Sequence, residues 1–129
     1  MQPNINNQKK GKTMAFRVVT ERDVKRVAVI IYQSLCSHFQ SKAWRSCVPC
    51  PNNKLIKYQN GWAINLNWNA ILRLFPSEGK IEVMKGGQLK TRNGISAFST
   101  SHDLGTSWVS FYNPQKRLIL EINQFGSIS

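Results

Sequence analysis

Acidic residues are scarce in this chain. Six Asp and Glu stand against 18 Lys and Arg in 129 residues, for a formal net charge of +12. The six are scattered without a paired motif, which makes a metal nuclease built on clustered carboxylates a poor fit. Cysteine is scarcer still, at three. An odd count with uneven spacing does not make the disulfide framework of a small secreted domain. Long apolar runs are missing too. The longest, Val27–Tyr32, spans six residues, far short of the roughly 20 that cross a bilayer. The N-terminus is rich in Asn, Gln and Lys, with no apolar segment leading to a cleavage site. The expectation is a soluble, cytoplasmic protein that engages no membrane.

Several motifs with recognised chemistry are also missing. There is no glycine-rich phosphate loop, nucleophile elbow or HExxH helix. The zinc-deaminase signature fails because no Glu follows His38 and Pro49 lies inside the cysteine pair. The homeodomain, the paired Cys/His finger and the aromatic signature of the common RNA-recognition fold are not found.

What remains is positive charge, and it is uneven. Residues 1–60 hold 11 basic and 2 acidic side chains; residues 61–129 hold 7 and 4. A field of this sign attracts polyanions: nucleic acid, an acidic protein or an anionic surface. The competing reading is a charge excess that serves only solubility.

Length and apolar content suit one domain with a real core. Residues 1–13 have almost no apolar content and read as a disordered basic arm carrying Lys9, Lys10 and Lys12. Residues 14–129 read as a single α+β domain. Ala15–Val19 is a strand candidate. Thr20 and Asp23 then form a capping box. The helix expected over Glu21–Phe39 places Val24, Val27, Ala28, Ile31 and Leu35 on one face. Arg22, Lys25 and Arg26 mark its exposed side. Residues 40–53, with Pro49 and Pro51, read as a loop. Lys54–Tyr58 and Trp62–Leu66 read as strands around Asn60-Gly61, and Asn67–Phe75 as a short helix. Lys80–Lys85 and Gln88–Arg92 flank a Gly86-Gly87 hairpin turn. Ile95–Thr100, a polar loop over Ser101–Ser107, Trp108–Tyr112 and Arg117–Asn123 complete the chain. The sum is one long N-terminal helix packed on an antiparallel, meander-like sheet of about five to seven strands.

Three constellations could carry chemistry. The first is Cys36, His38, Cys47 and Cys50, the only cysteines with one of two histidines. Sulfur and imidazole are zinc ligands, and Cys-x-x-Cys is half of many structural zinc sites. Residues 36 and 38 point about 200° apart on a regular helix, so both could reach one metal only if the helix ends near Leu35. The alternatives are buried structural thiols, with His38 at the helix C-terminus, and a redox pair. No cofactor beyond that zinc is expected.

The second constellation interleaves cations with aromatics. Lys42, Trp44 and Arg45 form one patch, Lys54, Lys57 and Tyr58 another, and Lys80, Lys85, Lys90 and Arg92 line the first hairpin. Single-strand binders pair these residue types because cations follow the phosphates while rings stack on bases. Trp44 is the ring expected at the surface; Trp62, Trp68 and Trp108 are expected in the core. Lysines on a hairpin also protect a sheet edge against aggregation. The third constellation is His102 and His38 as base and acid of a small ribonuclease or toxin, with Asp103 and nearby hydroxyls. The leading expectation is a non-enzymatic binder of single-stranded DNA or RNA through phosphates. An adaptor or inhibitor docking on an acidic protein is the other alternative.

Overall fold

The computed structural model of the chain describes residues 13–18, 20–36, 54–66 and 69–128. Among the described residues the architecture is α+β: one helix packed on two antiparallel sheets. In chain order the elements are β1 (Met14–Ala15), α1 (Glu21–Cys36), β2 (Leu55–Tyr58), β3 (Gly61–Asn65), β4 (Ala70–Phe75), a 3-10 turn (Pro76–Glu78), β5 (Lys80–Lys85), β6 (Gln88–Arg92), β7 (Ala97–Asp103), β8 (Thr106–Tyr112) and β9 (Leu118–Asn123). The nine strands divide into a five-stranded sheet, β2-β3-β4-β5-β6, and a four-stranded sheet, β1-β7-β8-β9. Among the described residues no helix is long and apolar enough to cross a membrane.

The capping box forms as its residues require. The Asp23 backbone N–H donates to Thr20 Oγ1 at 3.1 Å, and the Thr20 N–H donates back to Asp23 Oδ2 at 3.4 Å. Two of the helix's otherwise unpaired N-terminal donors are thereby satisfied. Val24, Val27, Ala28, Ile31, Leu35 and Cys36 form the buried stripe. It packs on β8 and β3 and touches β2 and β7, so the helix bridges both sheets.

The sheets contribute one face each to a shared core. Register places Trp62, Leu74 and Ile81 in one row of the five-stranded sheet, and Ile64, Leu72 and Val83 in the next. The four-stranded sheet offers Phe98, Phe111 and Leu120, then Val109 and Ile122. Phe16 joins them, with its ring edge-on to Phe111 at 5.6 Å and to Phe98 at 6.4 Å. After β9 the chain turns back. Asn123 Oδ1 accepts from the N–H groups of Phe125 and Ser127, and Ile128 bridges to Ile122.

Two local expectations are overturned. Asn67–Phe75 does not supply a helix; Ala70–Phe75 is strand β4, paired on both sides. Ala70, Leu72 and Leu74 face the core, while Ile71 and Arg73 lie on the opposite face. An apolar residue on that second face hides the period of two, which is why a short apolar run is ambiguous. Ser101–Ser107 is not a loop either. It is the end of β7, a two-residue turn at Leu104-Gly105, and the start of β8. Both turn residues have positive φ, 51° and 84°. That is the geometry Gly and Asn favour, and Leu104 adopts it while 98% exposed.

The Gly86-Gly87 hairpin forms as expected, with φ of 59° and 78°. The neighbouring turn shifts by one residue. Gln59 and Asn60 make it, and Gly61 opens β3 opposite Tyr58. A Cβ on Gly61 would collide with the Leu74 carbonyl and lie 2.9 Å from the Phe75 ring. Here glycine answers a close approach, not a turn.

Candidate nucleic-acid interface

Charge separates the two sheets. The strands of the five-stranded sheet carry Lys57, Arg73, Lys80, Lys85, Lys90 and Arg92 against one acid, Glu82. The strands of the four-stranded sheet carry no Lys or Arg.

Most described acids are engaged within the fold. Asp23 sits in the helix cap. The Thr20 hydroxyl and backbone N–H hold its carboxyl below the usual range, helped by Arg26 and Arg22. The Asn60 amide donates to Glu78 at 2.6 Å, the main reason that carboxyl also titrates low, and Lys80 stands 3.6 Å away. Glu82 meets Arg73 at 3.4 Å and Lys80 at 3.9 Å. Ser110 donates to Glu121 at 2.6 Å. Arg73 and Lys80 are thus neutralised on the outer face, where they also lie over the rings of Tyr58 (4.8 Å) and Phe75 (4.5 Å).

The other cations of the five-stranded sheet lie on its core-facing side, at opposite edges. Lys57 and Arg92 occupy the two ends of one lateral row, Lys57-Trp62-Leu74-Ile81-Arg92. Four strand spacings separate them, about 19 Å. The residues between are core, so the sequence's basic residues form two patches instead of one stripe.

The first patch joins α1 to β2 through Trp62. Lys25 Nζ lies 5.7 Å from the indole centroid and Lys57 Nζ 5.6 Å. Both are within cation–π range. Lys57 also donates to the Gly61 carbonyl at 3.4 Å. The indole is therefore shared by two ammonium groups from different elements. Arg22 and Arg26 are exposed on the same helix and line a shallow groove with Thr20, Asp23, Lys25, Val29 and Ile30. Trp62 itself is partly buried against the core, with its Nε1 buried and unpartnered among the described residues. Its expected core role becomes a mixed one. Lys54, exposed, precedes β2.

The second patch is Lys85, Lys90 and Arg92 at the β6 edge. Among the described residues no carboxylate lies within ion-pair reach of these three, whereas Lys80, on β5 with Lys85, has two.

Lys9, Lys10, Lys12, Lys42, Trp44 and Arg45 lie outside the described residues, as do Trp68, His38, Cys47 and Cys50. Of the zinc candidates Cys36 is described. It is buried in the last turn of α1, and burial pushes its thiol up to about 12. Among the described residues no three His, Cys, Asp or Glu side chains gather as metal ligands. His102, the ribonuclease candidate, stands on β7 beside the turn. Its Nδ1 is 2.9 Å from the Oγ of buried Ser107, whose N–H donates to Gln124.

Sequence reasoning missed Trp62 as the residue that gathers Lys25 and Lys57. The signal was available: in a hairpin whose turn is 59–60, residues 57 and 62 face each other. No protein-family model, curated protein or solved structure matches the chain.

Proposed function

We propose that the protein binds single-stranded DNA or RNA without acting on it, chiefly through phosphate contacts from Arg22, Lys25, Arg26 and Lys57. The observation that carries the reading is the Lys25–Trp62–Lys57 arrangement. Two ammonium groups stand beside one ring, flanked by two exposed arginines, in a chain whose described acids are largely engaged elsewhere. Neutralising phosphates releases condensed counterions, which drives binding and makes it salt-dependent. The indole reduces the freedom the two lysines lose on binding, so the patch is pre-organised. Lys54, Lys85, Lys90 and Arg92 would extend the contact on a longer strand. A cytoplasmic setting accords with few cysteines.

The test is fluorescence anisotropy with a labelled single-stranded oligonucleotide. With four phosphates neutralised, raising NaCl from about 50 to 200 mM should weaken binding roughly fifty-fold. Lys25→Ala with Lys57→Ala should flatten the log–log salt slope by about 1.4. Lys116→Ala with Arg117→Ala, in the turn of the four-stranded sheet, should leave the slope unchanged. Affinity indifferent to salt, or an equal loss from both pairs, would sink the reading.

A further inference from the structure

The free edge of β6 carries an inference that is independent of the oligonucleotide reading. The Gly86-Gly87 turn closes a two-residue hairpin, so Lys85 and Gln88 form a hydrogen-bonded pair. Pairing then alternates: Val83 with Lys90 and Ile81 with Arg92 are bonded, while Met84 with Leu89 and Glu82 with Thr91 are not. The backbone N–H and C=O of Leu89 and Thr91 therefore point away from β5. No described strand receives them, because β6 ends its sheet. One contact corroborates the direction. Arg92 Nη1 donates to the Thr91 carbonyl at 3.0 Å, so a side chain occupies a site an incoming strand's N–H would take.

The two sides of this edge differ. Leu89, half exposed, continues the outer row Ile71-Met84-Leu89. Lys90 and Arg92 continue the core-side rows, and Lys90 lines a cleft of about 270 Å³ with Val83, Lys85, Gln88 and residues 126–128. Lys85 Nζ is tethered there by the Phe125 carbonyl at 3.1 Å.

We propose that β6 receives an extended segment of a partner protein, added antiparallel or parallel as a sixth strand, with acidic and apolar side chains in alternation. Successive side chains of a strand fall on opposite faces. One set would cover Leu89 and Met84; the other would place carboxylates over Lys90 and Arg92. The strand's N–H displaces Arg92 from Thr91, and the freed guanidinium takes a carboxylate. Main-chain bonds supply affinity and the alternation supplies specificity. Edge lysines that serve only to prevent aggregation would need neither the exposed leucine nor the cleft behind them.

The probe is a fluorescein-labelled octapeptide of alternating Glu and Val, with a copy N-methylated at alternate residues on its bonding edge. The unmodified peptide should bind, and N-methylation should weaken it at least tenfold. Thr91→Pro removes an N–H that β5 does not use, a place where strands tolerate proline, and should weaken binding similarly. Lys90→Glu should do so without altering the ladder. Amide hydrogen exchange gives a direct readout: peptide should slow Leu89 and Thr91, leaving Gln88, Lys90 and Arg92, already bonded to β5, as they were. Equal binding of the methylated peptide overturns the proposal, as does peptide binding with Leu89 and Thr91 still exchanging freely. A patch that takes the oligonucleotide but not the peptide overturns it as well.

Discussion

The two sheets share a core and differ in almost everything else. Each turns a row of large apolar side chains inward: Ile64, Leu72 and Val83 from one, Phe98, Phe111 and Leu120 from the other. Away from the core they diverge. The five-stranded sheet carries six cations on its strands. On the four-stranded sheet, register places serines and Glu121 in a row, where Ser110 meets Glu121 and Ser99 meets the Tyr112 hydroxyl at 3.0 Å. Burial alone would not separate the two. The lesson is that the unpaired cations share the core-facing rows of the five-stranded sheet and become surface chemistry only where those rows run out toward the sheet's edges. A sheet's share of the core says nothing about whether it meets a partner.

That contrast can be broken at several points. The largest effect is expected at the shared core. Phe111→Ala removes the ring that Phe16 meets edge-on, and should lower stability by about 4 kcal/mol by denaturant unfolding. A cost near 1 kcal/mol would mean the four-stranded sheet is less closely packed than its buried rows imply. Next comes Gly61→Ala, which drives a methyl into the Leu74 carbonyl where β3 meets β4. It should cost about 2–3 kcal/mol and disturb the Lys57–Trp62 contact with it. Oligonucleotide affinity should fall in parallel, which it should not for Phe111→Ala measured well below its unfolding midpoint.

The smallest effect lies in the helix that links the sheets. Thr20→Ala should cost about 1 kcal/mol. It should also remove a pH dependence. The Asp23 carboxyl titrates low in the folded chain, so its contribution is present above the ordinary carboxylate range and is lost as pH falls through its folded value. The wild type should lose stability over that acid window more steeply than Thr20→Ala. Parallel curves would show that the cap carries no such linkage.

Much of this arrangement was legible in the residues. The capping box, the helical stripe from Val24 to Leu35, and the Gly86-Gly87 hairpin are local signals, and each formed where its chemistry put it. Ala70–Phe75 was misread because Ile71 and Phe75 break the polar half of the alternation. The β7–β8 turn was missed because Leu104 holds a conformation that sequence rules assign to Gly or Asn. The division of strands into two sheets depends on pairings between distant segments, and no local pattern encodes it. For the candidate site, the identity of the cations was readable while their grouping was not. Lys57 and Lys90 look alike in sequence, and only the strand order puts them at opposite edges.

The strand order also bears on how the fold assembles. Every pairing in the five-stranded sheet joins neighbours in the chain, hairpin after hairpin from Leu55 to Arg92. The four-stranded sheet is completed differently. Its edge pair, Met14 with Phe98 and Ala15 with Ala97, closes a loop that spans most of the chain. Loops of that size carry the largest closure entropy for the fewest bonds. The cation-bearing meander is therefore expected to appear early in folding. The two-residue β1 strand, with Phe16 behind it, is expected to be the last to dock and the first to leave.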